Sequence, residues 1–173
     1  MTSPGERTIV VNDACCLIDL RKVGLLATML RLPFRFLVPL PVRVNEMLDL
    51  APEEWSVLDA AGLETFDLPP DLVARALAIR SAQPRLSAND CFCLSTTQAH
   101  EGAILLTGDA LLRRAATEGG LHVHGVLWIA DQLQEGAICA EVEIATALEV
   151  WRDDPAVFLP RAEIEARLRR LAR

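Results

Sequence analysis

The sequence predicts an α/β protein, a three-layer α/β/α sandwich around a central, mostly parallel sheet of five strands. Short apolar runs alternate along the chain with longer amphipathic stretches, which is expected when helices connect parallel strands. The apolar runs also lack the strict polar and apolar alternation of strands with one exposed face. Continuous apolar strands are typical of a sheet covered by helices on both sides.

Proline and glycine set most of the element boundaries in the first half of the chain. Gly24 ends the first helix, Pro39 stops the second strand, and Pro41 suits the first turn of the next helix. The elements expected up to residue 68 are a strand at 8–12, helices at 13–24 and 25–32, a strand at 35–38, helices at 41–50 and 52–61, and a strand at 63–68.

Capping residues define the second half. Ser87 followed three residues later by Asp90 predicts a capping box at the start of a helix. Gly108 supplies a turn before Asp109 begins another helix, and a Gly-Gly pair at 119–120 ends that helix. The elements expected here are helices at 71–82 and 87–100, a strand at 103–107, a helix at 109–118, a strand at 121–124, and helices at 126–134, 140–152 and 160–171.

Composition limits the class of protein. With 173 residues, 51% hydrophobic and 24% charged, the chain has the balance of one globular domain. It contains neither an apolar run of about 18 residues nor a signal peptide, so we expect a cytoplasmic protein without membrane association. A net charge of −7 argues against a generic basic nucleic-acid coat. The cysteine spacings suit free thiols better than disulfides or a zinc site.

Four acidic residues fall where the sheet and its helices would place them at one edge. Asp13 and Asp109 directly follow the first and fourth strands, Asp90 lies in the first turn of a helix, and Glu46 lies in the helix after the second strand. Sites in parallel sheets form at the carboxyl ends of the strands. Crowded carboxylates favour a hard cation such as Mg²⁺ or Mn²⁺. Each residue taken singly could instead cap a helix or be a solvated charge.

Four segments together resemble a known family. They are VVNDACCLIDL at 10–20, VPLPVRVNEML at 38–48, LSANDCFCL at 86–94 and LLTGDALLRRAA at 105–116, followed by HGVLWIADQL at 124–133. Their order and spacing resemble the PIN domain, the metal-dependent ribonuclease fold of VapC-type toxins. The resemblance places the PIN domain in residues 1–135, and we expect the helices of 136–173 to pack on the same domain.

The resemblance implies a site and an activity. Asp13, Glu46, Asp90 and Asp109 would be the catalytic and metal-binding acids, and Thr107 the hydroxyl that supports them. The implied reaction is hydrolysis of RNA phosphodiester bonds with Mg²⁺ or Mn²⁺, by a homodimer that a cognate antitoxin inhibits. An acid often found shortly after the last of these is absent here, because Ala110 and two leucines follow Asp109.

Neighbouring polar residues complete the hypothesis. Asn12 and Asn89 each precede an acid and could orient it, although capping or turn formation explains them equally well. Candidate phosphate contacts flank the acids: Arg43, Arg85, Arg113 and Arg114. Two other functions use the same residues or none of them. The first is a PIN nuclease of RNA processing that is not a toxin, and the second is an inactive PIN-like binding module.

Overall fold

The computed structural model describes residues 7–47 and 49–172. Its sheet consists of β1 (Ile9–Asn12), β2 (Arg35–Pro39), β3 (Leu63–Phe66), β4 (Ile104–Leu106) and β5 (His122–His124). The strand order is β3-β2-β1-β4-β5, and every neighbouring pair is parallel. The predicted α/β fold with five strands is confirmed, with a sheet that is parallel throughout.

Helices flank this sheet. They are α1 (Ala14–Lys22), α2 (Leu26–Met29), α3 (Leu40–Glu46), α4 (Pro52–Ala61), α5 (Pro70–Ala82), α6 (Ala88–Gln98), α7 (Ala110–Glu118), α8 (Val126–Glu135), α9 (Glu141–Asp153) and α10 (Arg161–Leu171). No helix in residues 7–47 and 49–172 is long and apolar enough to cross a membrane.

Two predicted boundaries were wrong around β2. The helix expected over 25–32 is only four residues long, because the amide of Leu30 bonds three residues back to Ala27 and the turn tightens. Pro39 does not stop the strand before it but is its last residue, opposite Phe66 of β3. A strand end tolerates proline, because no further ladder hydrogen bond is required of it.

The helix after β2 also differs from its prediction. It begins at Leu40 and ends at Glu46 rather than continuing to residue 50. Residue 48 of the predicted helix lies outside the described residues. Glu46 is therefore at the end of α3, where its side chain is exposed.

The C-terminal helices pack against the rest of the chain. Trp151 of α9 is 1% exposed, and its indole Nε1 donates a 2.9 Å hydrogen bond to the carbonyl of Asp19 in α1. Ile164 of α10 is also buried in the main hydrophobic core. Arg167 of α10 pairs with Asp131 of α8 at 2.6 Å. Both apolar burial and an ion pair thus hold α9 and α10 in place.

The pairing of β1 with β4 positions the chemistry. Asn12 lies opposite Leu106 in this ladder, so the residues that follow the two strands are neighbours. The backbone amide of Asp13 continues the ladder with a 3.0 Å hydrogen bond to the carbonyl of Leu106. The first predicted acid is therefore fixed at the carboxyl edge of the sheet.

Candidate active site

Asp13 is the most buried acid of the site, with 5% of its surface exposed. It is the N-cap of α1, and its Oδ1 accepts a 2.8 Å hydrogen bond from the amide of Ala14. Its Oδ2 accepts from the Thr107 hydroxyl at 2.7 Å and from the Cys15 thiol at 3.0 Å. These bonds fix the orientation of the carboxylate before any ligand binds.

Thr107 links two of the predicted acids. Its hydroxyl is fully buried, donates to Asp13, and accepts the backbone amide of Asp109 at 3.1 Å. Its own backbone is held as well, because its amide donates to the carbonyl of His124 at 2.9 Å and its carbonyl accepts from Arg113 at 2.8 Å. The end of β4 is thus rigidly placed beside the end of β1.

Asp109 is the N-cap of α7. Its Oδ1 accepts the amide of Leu112 at 2.7 Å, and its side chain is exposed. Within residues 7–47 and 49–172, no hydrogen bond engages its Oδ2. The cap anchors one oxygen, and the other remains available for a ligand or for water.

Asp90 and Glu46 come from α6 and α3. Asp90 forms the predicted capping box: its carboxylate accepts the Ser87 amide at 2.7 Å, and its own amide donates to the Ser87 hydroxyl at 3.0 Å. Asn89 donates a side-chain hydrogen bond to Glu46. The neighbour of Asp90 therefore orients Glu46, which couples the two helices at the site.

Three of the acids repel one another. Burial raises the pKa of Asp13, and the charge of Asp90 raises it further, against the hydrogen bonds from Cys15 and Thr107. Burial likewise raises the pKa of Glu46, and the charges of Asp13 and Asp90 add to the effect, against the bond from Asn89. No described basic side chain is among the groups that shift either value. A bound cation would relieve this repulsion.

The donor set fits a divalent cation with few protein ligands. Among residues 7–47 and 49–172, no three His, Cys, Asp or Glu side chains are placed to hold one ion together. Mg²⁺ is usually held by one or two carboxylates and keeps several waters. Asp13 and Asp90 are suited to such a pair, because the charge of Asp90 raises the pKa of Asp13. Asp109 is linked to Asp13 only through the hydrogen bonds of the Thr107 hydroxyl among the described residues. Its charge is not among those that shift the pKa of Asp13 or Glu46.

A family model described as a PIN domain matches residues 9–173. The chain belongs to the PIN domain family. No curated protein matches it in sequence. PIN domains are generally nucleases that use divalent metal ions, so this fold agrees with the acidic edge. The match extends over α9 and α10, beyond the segments that carry the resemblance in the sequence.

Asn12 has a structural position in this PIN domain. It is fully buried, and its Nδ2 donates to the carbonyls of Val10 at 3.1 Å and of Leu37 at 2.9 Å. No described group bonds its Oδ1. The side chain therefore joins β1 to β2 beneath the site and makes no hydrogen bond to Asp13 in the part of the chain described.

Three of the four predicted phosphate contacts, all except Arg85, already have partners within the PIN domain. Arg43 pairs with Asp59 at 2.8 Å, stacks 4.0 Å above the ring of Trp55, and contacts the Thr65 hydroxyl. Arg113 is bound to the carbonyl of Thr107, and Arg114 pairs with Glu118 at 2.8 Å. A phosphate would compete with an internal partner at each of these arginines.

Cys15 is the site residue that sequence reasoning missed. Its thiol lies 3.0 Å from Asp13 Oδ2, accepts the amide of Gly108 at 3.1 Å, and lies 3.7 Å from the Thr107 hydroxyl. The available signal was its position two residues after Asp13, in the first turn of the helix that Asp13 caps. Cysteine is more often a small apolar packing residue, and that interpretation concealed its role here.

Proposed function

We propose that this PIN domain is a cytoplasmic endoribonuclease that depends on Mg²⁺ or Mn²⁺ and hydrolyses RNA phosphodiester bonds. The observation that carries the proposal is the placement of Asp13, Glu46 and Asp90: the charge of Asp90 raises the pKa of both other carboxyls, and no described basic side chain lowers either value. Repulsion between carboxylates does not stabilise a fold. A cation bound between these carboxylates would relieve the repulsion and would bind an RNA phosphate at the same time.

Each acid has a distinct role in the proposal. Asp13 and Asp90 hold the metal ion, and Asp109 completes its surroundings directly or through water. Thr107 and Cys15 keep Asp13 Oδ2 in one orientation. Glu46, held by Asn89, orients the attacking water with its exposed carboxylate. When bound, the ion supplies Lewis acidity at the phosphate and lowers the pKa of a coordinated water.

The test is cleavage of a labelled single-stranded RNA by the purified protein in Mg²⁺, Mn²⁺ or EDTA. We expect cleavage with either metal, none with EDTA, and at least about a 100-fold loss in Asp13→Asn. Asp19→Asn is the matched control, because Asp19 is also partly buried on α1 but its carboxylate lies 3.9 Å from the ammonium of Lys22, a basic partner that Asp13 lacks among the described residues. Activity that survives EDTA and Asp13→Asn would contradict the proposal.

A protein that cleaves nothing would point to another function. If no metal supports cleavage, and wild type and Asp13→Asn bind RNA and take up metal equally, the chain is a binding module. If it cleaves RNA but its expression does not slow growth, the role is RNA processing rather than toxicity.

We further propose that the nuclease is a homodimeric toxin inhibited by a cognate antitoxin. An apolar pocket at α2 and α4, which includes Leu26, Leu50 and Leu58, adjoins a second pocket that reaches Glu46. Val57, which lines the apolar pocket, is 61% exposed. A protein inhibitor bound there could cover this apolar surface and the site together.

Expression of wild type beside Asp13→Asn tests this role. Growth arrest only with wild type, relieved by the product of a short neighbouring reading frame, is the expected result. Light scattering of the purified chain should give the mass of a dimer. Equal growth with both proteins would contradict the toxin role, and a monomer mass would contradict the homodimer.

A further inference from the structure

Two arginines without a described partner lie in the last turn of α5 and in the turn that leads from α5 to α6, the helix that carries Asp90. Within residues 7–47 and 49–172, Arg80 and Arg85 form no ion pair or hydrogen bond, and both are exposed. The other three predicted phosphate contacts, Arg43, Arg113 and Arg114, each have a partner within the protein. Arg80 and Arg85 are therefore free to bind an external anion.

Arg80 is placed by the packing of α5 on α6. It lies in the last turn of α5. Burial raises the pKa of the Cys91 thiol in α6, the negative charge of Asp90 raises it further, and the positive charge of Arg80 opposes both. The charges of Arg80 and Asp90 thus act at the same point of the fold, next to the first turn of α6.

Arg85 is placed by a tight turn. The amide of Leu86 donates a 3.1 Å hydrogen bond to the carbonyl of Gln83, and Leu86 is only 2% exposed, so it anchors the turn in the core. Ser87, the next residue, donates its amide to the carboxylate of Asp90 at 2.7 Å. One short segment therefore carries both Arg85 and the group that holds Asp90.

The negative charge of the protein requires unpaired basic side chains wherever RNA binds. The chain carries a net charge of −7, and no described basic side chain lowers the pKa of Asp13 or Glu46. These charges repel a polyanion, and a single bound divalent ion neutralises only part of them. RNA would need nearby cations that are not occupied by internal ion pairs.

We propose that Arg80 and Arg85 form a surface that binds the phosphate backbone of single-stranded RNA next to the acidic edge. The proposal rests on the proposed ribonuclease function and specifies the path of its substrate. The planar guanidinium groups suit bidentate contacts with phosphate oxygens. Domains dedicated to double-stranded RNA contact about 16 base pairs, which needs a longer basic surface than one helix end and one turn.

The experiment measures the affinity of a labelled single-stranded oligoribonucleotide at several salt concentrations, in EDTA so that metal-dependent cleavage cannot occur. It compares wild type, Arg80→Gln/Arg85→Gln and Arg31→Gln/Arg169→Gln. The last variant loses the same charge from two exposed arginines without a described ion pair. Arg31 lies before β2, at the amino edge of the sheet, and Arg169 lies on α10.

We expect Arg80→Gln/Arg85→Gln to reduce the slope of log affinity against log salt by about 1.4, at about 0.7 for each lost contact. If the two contacts contribute nothing to affinity near 1 M salt, this change in slope makes the variant bind RNA about 25-fold more weakly than wild type near 0.1 M salt. The Arg31→Gln/Arg169→Gln protein should keep the wild-type slope. Equal slopes in all three proteins, or an equal reduction of the slope in both variants, would overturn the proposal that Arg80 and Arg85 bind RNA.

Two further readouts separate this surface from the catalytic proposal. In Mg²⁺, Arg80→Gln/Arg85→Gln should raise KM for the RNA more than it changes kcat. If wild type binds RNA through these arginines but never cleaves it, the surface stands and the endoribonuclease proposal fails. If wild type cleaves RNA and neither KM nor the salt slope responds, the surface alone fails. Equal arginine-dependent binding of double-stranded RNA would overturn the single-strand assignment.

Discussion

Thr107 and Asp13 are 94 positions apart in the chain, and the hydroxyl of Thr107 donates a 2.7 Å hydrogen bond to Oδ2 of Asp13. Both side chains are buried at the ends of neighbouring parallel strands. The same hydroxyl accepts the amide of Asp109 at 3.1 Å. One side chain thus positions two acids, and its removal should affect stability and chemistry separately.

Thr107→Val removes the hydroxyl and keeps the shape of the side chain. It leaves a buried carboxylate oxygen with one donor fewer, which should lower the free energy of unfolding by about 1–3 kcal/mol in urea titrations. The Thr107 bond also lowers the pKa of Asp13, so that pKa should rise further. Because Asp13 must be ionised to bind metal, the metal-dependent cleavage profile should move to higher pH.

Two variants control for a purely structural effect of Thr107→Val. Thr107→Ser keeps the hydroxyl and should restore the pH profile. Thr97→Val removes another buried hydroxyl, which donates a 2.7 Å hydrogen bond to the carbonyl of Cys93 and, among the described residues, makes no hydrogen bond to the acids. This variant should leave the pH profile unchanged. An unshifted profile in Thr107→Val would show that the hydroxyl does not control the ionisation of Asp13.

Metal binding should be measurable without any substrate. At a Mg²⁺ or Mn²⁺ concentration about 100 times its Kd, the free energy of unfolding should rise by about 2.7 kcal/mol. Asp90→Asn should lose most of this gain, although its amide oxygen can still accept the Ser87 amide and preserve the cap. Thermal unfolding with and without metal measures the difference. Asp19→Asn should keep the wild-type gain, and an equal gain in Asp90→Asn would rule this acid out as a ligand.

Local signals explain how much of the fold and site the sequence could predict. The Ser87 and Asp90 capping box has a pattern within four residues, and the structure forms it as predicted. The parallel sheet predicted from the apolar runs also places Asp13 and Asp109 at one edge if their strands are neighbours, and the structure pairs β1 with β4. Pro39 was misplaced because its strand continues to the residue that caps the next helix.

Long-range side-chain partners could not be predicted in the same way. Whether Arg43 meets solvent or Asp59 depends on the packing of α3 on α4 and β3, which no local pattern specifies. The contact of Cys15 with the Gly108 amide likewise depends on the register of β1 and β4. The sequence indicated which residue types are near the site but not which of them remain free.

Glu46→Gln should stabilise the metal-free protein at neutral pH. The pKa of Glu46 is raised in the folded state by burial and by Asp13 and Asp90, so its charged form opposes folding. The stability that Glu46 contributes is therefore fully present below its ordinary pKa of 4.5 and is lost as pH rises through the raised value. The glutamine avoids this loss, by less than about 1 kcal/mol because the side chain is exposed.

Urea unfolding in EDTA at about pH 3.5 and about pH 7 measures this difference. The two proteins should be equally stable at the lower pH, and the variant more stable at the higher. Glu54→Gln is a control of opposite sign, because the Ala51 amide and Arg21 lower the pKa of Glu54. That variant should lose stability only at the higher pH. A Glu46→Gln protein less stable than wild type near pH 7 would contradict the assigned repulsion.

Trp151→Ala should destabilise the whole domain, including the sheet. The ring is 1% exposed between α9 and α1, and Trp→Ala in such a core costs about 3–5 kcal/mol. Trp151→Phe keeps most of the packing but leaves the Asp19 carbonyl without its 2.9 Å donor, so a smaller loss of about 1–3 kcal/mol is expected. If α9 and the sheet unfold as one unit, hydrogen exchange of the Val10 and Val11 amides must accelerate in proportion to each loss. Unchanged exchange in β1, with a destabilised C-terminal segment, would instead show that the last helices unfold independently.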